Sequence, residues 1–273
     1  MSEPEIRKAV VSGQFYPQSA QRLRQDIEKL IDKAAHPKEA IGCILPHAGY
    51  VYSGRVAAKT VSRLRPKDNI VLLGPNHSGL GPPFSIMACG QWQTPLGEVQ
   101  INSDLAKSIL NRSKNLTQDS EAHIYEHSLE VELPFLQYYK PDIEIVPIIV
   151  TEGQISIYKE IGKSIALALR ESKLENSTLI IASSDMTHYE PQERVKEKDR
   201  QAIEAILELN EDKLIDKIKG LNISMCGYVA ATIMLAAAKL LGAKSAELIS
   251  YQTSGDVTGD YDAVVGYAGI IVK

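Results

Sequence analysis

The chain has 273 residues, 44% hydrophobic and 23% charged, with a formal net charge of −4; that is ample apolar material for the core of one large domain. The mild acidity, with no basic block or basic–aromatic interleaving, leaves no nucleic-acid footprint, and no stretch approaches the roughly 18 uninterrupted apolar residues of a membrane span. Three cysteines, Cys43, Cys89 and Cys226, form no disulfide framework and suit a reducing compartment, and the charged start MSEPEIRKAV lacks the apolar stretch of a secretory signal, so the expected location is the cytoplasm.

In chain order, a short strand over Ala9–Ser12 precedes a helix at about Ala20–Lys33, where Leu23, Ile27, Leu30 and Ile31 recur at helical spacing. The apolar run Ile41–Leu45 predicts a buried strand. Ser53–Val61 follows as a helix, with Gly54, Ala57 and Ala58 allowing close packing, and Pro66 stops what comes next. Ile70–Leu73 is a second strand. Residues 78–103 are rich in Gly and Pro, with β-like pieces at Ser85–Ala88 and Gly97–Ile101, and suggest an excursion at the sheet's edge. Helices are expected over Ser103–Asn111 and Glu126–Tyr138, a strand over Glu144–Val150, a helix over Ile155–Glu171 and a strand over Leu179–Ala182. Amphipathic helices follow near Glu193–Glu208 and Asp212–Lys219, the first carrying the sign-alternating run Arg194–Gln201 of a solvated face. The apolar helix Tyr228–Leu241 contains Lys239 and reads as buried. Strands at Ala246–Tyr251 and Val264–Val272 close the chain. Strands separated by helices predict an α/β fold: one domain over residues 1–273, an αβα sandwich with a mixed, largely parallel central sheet.

Three of these strands stop abruptly, and a histidine follows each stop. Ile41–Leu45 runs into Pro46-His47-Ala48-Gly49-Tyr50, Ile70–Leu73 into Gly74-Pro75-Asn76-His77, and Leu179–Ala182 into Ser183-Ser184-Asp185-Met186-Thr187-His188. Ligands gather outside the carboxyl ends of strands in open α/β sheets, so three imidazoles on one rim suit a metal or acid–base site. The plain alternatives are a core histidine for His47 and a solvent-facing turn residue for His77. Asp185 and His188, three apart, sit about 5–6 Å apart at Cβ if the segment turns helically; Ser183, Ser184 or Asp185 would also cap a helix there. His127 opens the Glu126–Tyr138 helix and is either an acid–base group or a surface residue. Glu130 and Glu132 are cleft acids or a charged helix face, and His36 and His123 look exposed. Cys226, before Gly227, is most simply a small buried hydrophobe, as are Cys43 and Cys89. No GxGxxG or Walker loop follows any strand.

Taken together, PHAGYVYSG (Pro46–Gly54), LGPNHSG (Leu73–Gly79), EHSLEVELPFLQ (Glu126–Gln137), SSDMTHY (Ser183–Tyr189) and MCGY (Met225–Tyr228) resemble the Memo family, in its order and over nearly the whole chain. The length resembles prokaryotic members, often called AmmeMemoRadiSam system protein B. The resemblance implies a fold similar to class III extradiol dioxygenases. It implies a metal held by His47, His77 and Cys226, with Asp185 and His188 flanking it, and it lifts Cys226 from core residue to ligand. The dioxygenases use a carboxylate where Cys226 stands, which departs from ordinary ring cleavage. A thiolate softens the site toward Cu(I), zinc or thiolate-bound iron.

Three functions follow as expectations. One is an oxidoreductase using Fe(II) or copper on a small-molecule substrate, with His188 as general acid–base oriented by Asp185 and His127 as a second proton-transfer group. Another is a zinc-dependent hydrolase. The last is a non-catalytic binding protein, since eukaryotic relatives are associated with phosphopeptide recognition. The resemblance also implies an AMMECR1-type protein and a radical-SAM enzyme as partners.

Overall fold

A computed structural model describes residues 5–273. In chain order the elements are β1 (Ile6–Arg7), α1 (Ala20–Leu30), β2 (Gly42–Leu45), α2 (Tyr50–Val61), β3 (Asn69–Pro75), β4 (Phe84–Ile86), β5 (Gln91–Thr94), β6 (Gly97–Ile101), α3 (Ser103–Leu110), β7 (Thr117–Gln118) and α4 (Glu121–Ile124). A 3₁₀ turn at Glu130–Glu132 leads into α5 (Leu133–Tyr139), β8 (Glu144–Val150), α6 (Ile155–Glu171), β9 (Thr178–Ser183), β10 (His188–Glu190), α7 (Gln192–Leu207), α8 (Glu211–Gly220) and α9 (Tyr228–Leu241). The last elements are β11 (Ala246–Thr253), α10 (Gly255–Thr258) and β12 (Val264–Val272).

Five adjacent strands, β6, β8, β3, β9 and β2, run parallel and form the centre of the sheet. The run β2, β3, β8 and β9 is buried almost residue for residue, as expected of strands covered on both faces. Antiparallel β12 closes one side of β2, with β11 beyond it and β10 paired to the start of β12. On the other flank β5 pairs antiparallel with β6, and β4 pairs antiparallel with the end of β8. Helices α1, α2 and α5 pack together over one face; α3, α6, α9, α8 and α7 form a contiguous layer over the other. The fold is thus the expected αβα sandwich on a mixed, largely parallel sheet.

Helix α9 is the apolar element read from sequence as buried. Ten of its 14 residues are buried, and Gly162 of α6 lets it approach closely, since a Cβ there would lie 2.7 Å from the Ile233 carbonyl oxygen. Gly242, at φ +103°, ends α9 in the left-handed conformation.

Several local expectations are corrected. Ala9–Ser12 is no strand: the N–H groups of Val10 and Val11 donate instead to the buried carboxylate of Glu130, at 2.9 and 3.1 Å. Glu130 also pairs with Arg7 and accepts from the Tyr16 hydroxyl at 2.5 Å. Glu130 and Glu132 are fully buried, so neither belongs to a charged helix face. The Glu126–Tyr138 helix begins only after Glu132, because Glu126 turns its side chain inward (below). His123 is fully buried in the four-residue α4, its carbonyl bonded by Arg7. Cys43 lies in the core as expected, whereas Cys89 is exposed. Ser183–Asp185 cap no helix, since β9 passes into a bend and then β10.

Candidate metal centre

The parallel strands all point the same way, so β2, β3 and β9 deliver their following loops to one rim. His47 comes two residues after β2, His77 two after β3 and Asp185 two after β9. Cys226 reaches the same point from the opposite helical layer, one turn before α9. What brings it there is Gly227, whose missing side chain lets the MCGY turn sit against the end of β9. A Cβ at Gly227 would lie 2.1 Å from the Ser183 carbonyl oxygen.

One donor atom from each of His47, His77 and Cys226 falls within 4.8 Å of the others. The His47 and His77 ring centroids are 5.2 Å apart, and Cys226 Sγ lies 3.4 Å from His47 Nε2. Metal bonds of about 2.0–2.1 Å to nitrogen and about 2.3 Å to sulfur place a tetrahedral N–S pair ~3.6 Å apart. The cluster therefore fits a single ion with little movement.

Hydrogen bonds fix which ring nitrogen faces the cluster. The Ser183 hydroxyl donates its one proton to the Ser128 carbonyl at 2.8 Å, so it must accept at its 2.7 Å contact with His47 Nδ1. His47 thus carries its proton on Nδ1 and leaves Nε2 bare. His77 Nδ1 lies 2.9 Å from Glu126 Oε1. Glu126 also accepts from the His77 and Ser128 backbone N–H groups, at 2.5 and 2.8 Å. Burial opposes ionisation of Glu126, yet its bond to and charge attraction with His77 prevail and hold its pKa down at about 2. It is a carboxylate that accepts a hydrogen bond from His77 Nδ1–H, so the neutral His77 ring carries its lone pair on Nε2. This is the carboxylate–histidine pairing that orients metal-binding imidazoles. His77, Glu126 and His127 also lie close enough to form a donor set, but the Glu126 oxygens are committed to these N–H donors.

Burial, reinforced by the charges of His77 and His127, pushes the His47 pKa well below its usual value and keeps the ring neutral. Burial also lowers the His77 pKa, but the bond to Glu126 outweighs it and the net shift is upward. Burial and the nearby Asp185 charge push the Cys226 thiol up. Burial raises Asp185 to about 6 against the backbone N–H of His47, which donates to its Oδ1 at 2.9 Å. The Asp185 amide in turn points at Cys226 Sγ, at 3.3 Å.

The flanking groups lie where sequence reasoning set them, with altered contacts. Asp185 does not orient His188: the His188 Nδ1 lies 2.8 Å from the Ser224 carbonyl oxygen and donates to it, so Nε2 is the nitrogen left to face the cavity. Asp185 instead ties the His47 loop to the Cys226 turn. His127 stacks on His77 with ring centroids 4.8 Å apart, and burial lowers its pKa despite the charge of Glu126. His47, His77, His127, Asp185 and His188 all line one cavity of about 710 Å³. Glu126 and Ser224 were not singled out in the sequence. A carboxylate directly before His127, in a segment where Leu129, Val131 and Leu133 alternate with polar residues, was the available signal for Glu126; Ser224 gave none.

A family profile described as Memo-like protein matches residues 7–271. A MEMO1 family protein of Aquifex aeolicus is 41% identical over 272 residues, covering 97% of this chain and 98% of that protein. One of Methanosarcina mazei is 42% identical over 271 residues, covering 98% and 100%. In three dimensions the fold is similar to that of an uncharacterized protein from Escherichia coli K12, with a TM-score of 0.59 at 15% identity, over 84% of this chain and 98% of that one.

Proposed function

This chain belongs to the Memo family, and on that premise we propose that it is a metal-dependent enzyme acting on a small substrate, with one transition-metal ion held by His47, His77 and Cys226. The observation that carries this reading is the pair of bare Nε2 atoms. Ser183 and Glu126 each accept a hydrogen bond from an Nδ1–H, so two imidazoles from the loops after separate strands turn their Nε2 lone pairs, in the neutral rings, toward one thiol. A buried imidazole needs a partner for its N–H wherever it lies, but packing does not require two such rings to turn their other nitrogens toward one thiol.

We favour a redox-active iron or copper ion, which would supply electron transfer and Lewis acidity to a substrate in the cavity. The chain's own residues do the rest. His188, its Nδ1 proton committed to Ser224, holds or accepts a proton at Nε2. His127, neutral at pH 7, is the second such group at the cavity wall. Asp185 keeps the His47 loop and the Cys226 turn in register. The thiolate equally suits zinc, which supports a hydrolase as the second reading. The cavity alone would serve a non-catalytic binder.

Anaerobic purification followed by elemental analysis decides among these. The expected result is about one iron or copper per chain in the wild type and a loss of most of it in His47→Ala and Cys226→Ser. One zinc per chain would favour the hydrolase. Equal metal content in all three proteins would remove both enzymatic readings.

A further inference from the structure

The histidine cavity grades from a buried floor to an open mouth. His47 and Asp185, 2% and 5% exposed, lie at its floor. Val265 and Tyr267 are buried walls, and Phe15 and Tyr52 line the same cavity. The loop around α10 forms one lip with Ser254, Thr258 and Asp260, the last two exposed.

Apart from its histidines, the ionisable side chains that line this cavity and carry a formal charge are carboxylates, Asp185 and Asp260. No lysine or arginine lines the cavity among the described residues. From Ser245 to Val272 the sequence has none either, yet it carries Asp256, Asp260 and Asp262. Asp256 is occupied, accepting from the Thr253 backbone N–H at 2.8 Å. Asp260 uses Oδ1 to accept from the Asp262 N–H at 3.0 Å and contributes to the cavity wall. A phosphate or carboxylate beside Asp260 would find no lysine or arginine and a carboxylate next to it. An ammonium or neutral hydroxyl would find Asp260 and two hydroxyls.

We propose that the cavity selects a small molecule whose ion-binding head lies at the histidine floor, behind which Cys226 Sγ sits 3.4 Å from His47 Nε2, followed by an apolar body and a neutral or cationic polar end read by Asp260. This deepens the function proposed above and rests on it. The volume suits such a ligand, since small-molecule sites run to about 300–1,000 Å³. Asp260 is a specificity residue, and its exposure limits its strength. An exposed charge pair is worth up to about 1 kcal/mol, or about fivefold in affinity.

The test uses three chelators with one head and different tails: benzohydroxamate, its 4-aminomethyl derivative and its 4-carboxy derivative. Each is titrated calorimetrically into protein loaded with zinc, a redox-silent ion. The expected order is aminomethyl tightest, unsubstituted about fivefold weaker, and carboxy weaker again by a similar factor. Asp260→Asn, which keeps the Oδ1 acceptor and hence the turn, should flatten the series, and Asp260→Lys should invert it. Asp262→Asn, whose side chain is outside the cavity lining, should leave the order intact. Failure of the wild type to take up zinc, Fe(II) and Cu(I) alike would overturn the metal reading and this inference with it; if zinc alone is refused, the same series is titrated anaerobically into the Fe(II)- or Cu(I)-loaded protein with the same expected order. Zinc uptake with equal affinity for the three chelators, with no binding of any, or with Asp262→Asn acting as strongly as Asp260→Asn would overturn the inference alone.

Discussion

Each imidazole at the cluster has two nitrogens, and the partner of one decides the use of the other. Ser183 and Glu126 are those partners, and neither touches the position an ion would take. Glu126→Gln keeps the size of the side chain but turns an NH₂ toward N–H donors. It should lower metal affinity about 10–100-fold, as loss of such orienting partners does, while circular dichroism stays native; competition with a chromophoric chelator measures it. Ser183→Ala strips the acceptor from the buried His47 Nδ1–H and should destabilise the fold by about 1–3 kcal/mol in urea denaturation. At this scale the sequence disclosed only part of the site. His47 and His77 were legible because each follows an apolar run that ends in Pro or Gly. Cys226 was not, since a lone cysteine beside a glycine is chemically ambiguous, and only the family resemblance selected it. Glu126 was hidden because its role depends on a partner 49 residues away.

Two elements hold the loops in place. The turn before α9 depends on Gly227. Gly227→Ala would drive a methyl group into the end of β9, costing about 1–3 kcal/mol as overpacking does and moving Cys226 off the cluster. Denaturation and metal titration of that variant should therefore fall together; loss of stability with unchanged metal affinity would separate the turn from the site. The N-terminal segment is fixed by the buried Arg7–Glu130 pair, with Arg7 also bonding the carbonyls of His123 and Glu126 and lying 4.3 Å from the Trp92 ring centroid. Arg7→Ala leaves Glu130 buried without its cation and should cost about 3–5 kcal/mol, read from the urea midpoint. Among the long elements, α1 was clear from apolar spacing and α9 from its nearly continuous apolar run. Of the short ones, β4 was legible as the β-like piece at Ser85–Ala88, but β5, β7 and α4 were not, because two- to four-residue pieces take their conformation from neighbours rather than from their own pattern. Ala9–Ser12 failed as a strand for the same reason: a distant carboxylate took its N–H groups.

For the molecule as a whole, the architecture was the most legible feature. Continuous apolar runs alternating with amphipathic helices leave few arrangements other than a covered parallel sheet, and such a sheet gathers its loops at one rim. If that rim holds an ion, binding adds to folding stability: about 2.7 kcal/mol at a free metal concentration 100 times the Kd. In a domain of this size that is a rise in Tm of roughly 5–10 °C. Differential scanning calorimetry should show the rise on metal addition, its reversal by chelator and its absence in Cys226→Ser. Among the described residues no helix is long and apolar enough to cross a membrane.

The most direct measurement is X-ray absorption at the edge of the metal in the loaded wild type and in Cys226→Ser. The wild type should show one sulfur scatterer at about 2.3 Å and at least two imidazole nitrogens at about 2.0–2.1 Å, with the sulfur shell lost in the variant. A wild-type spectrum with no sulfur neighbour, or one unchanged by the substitution, would contradict the assignment of His47, His77 and Cys226 to one ion.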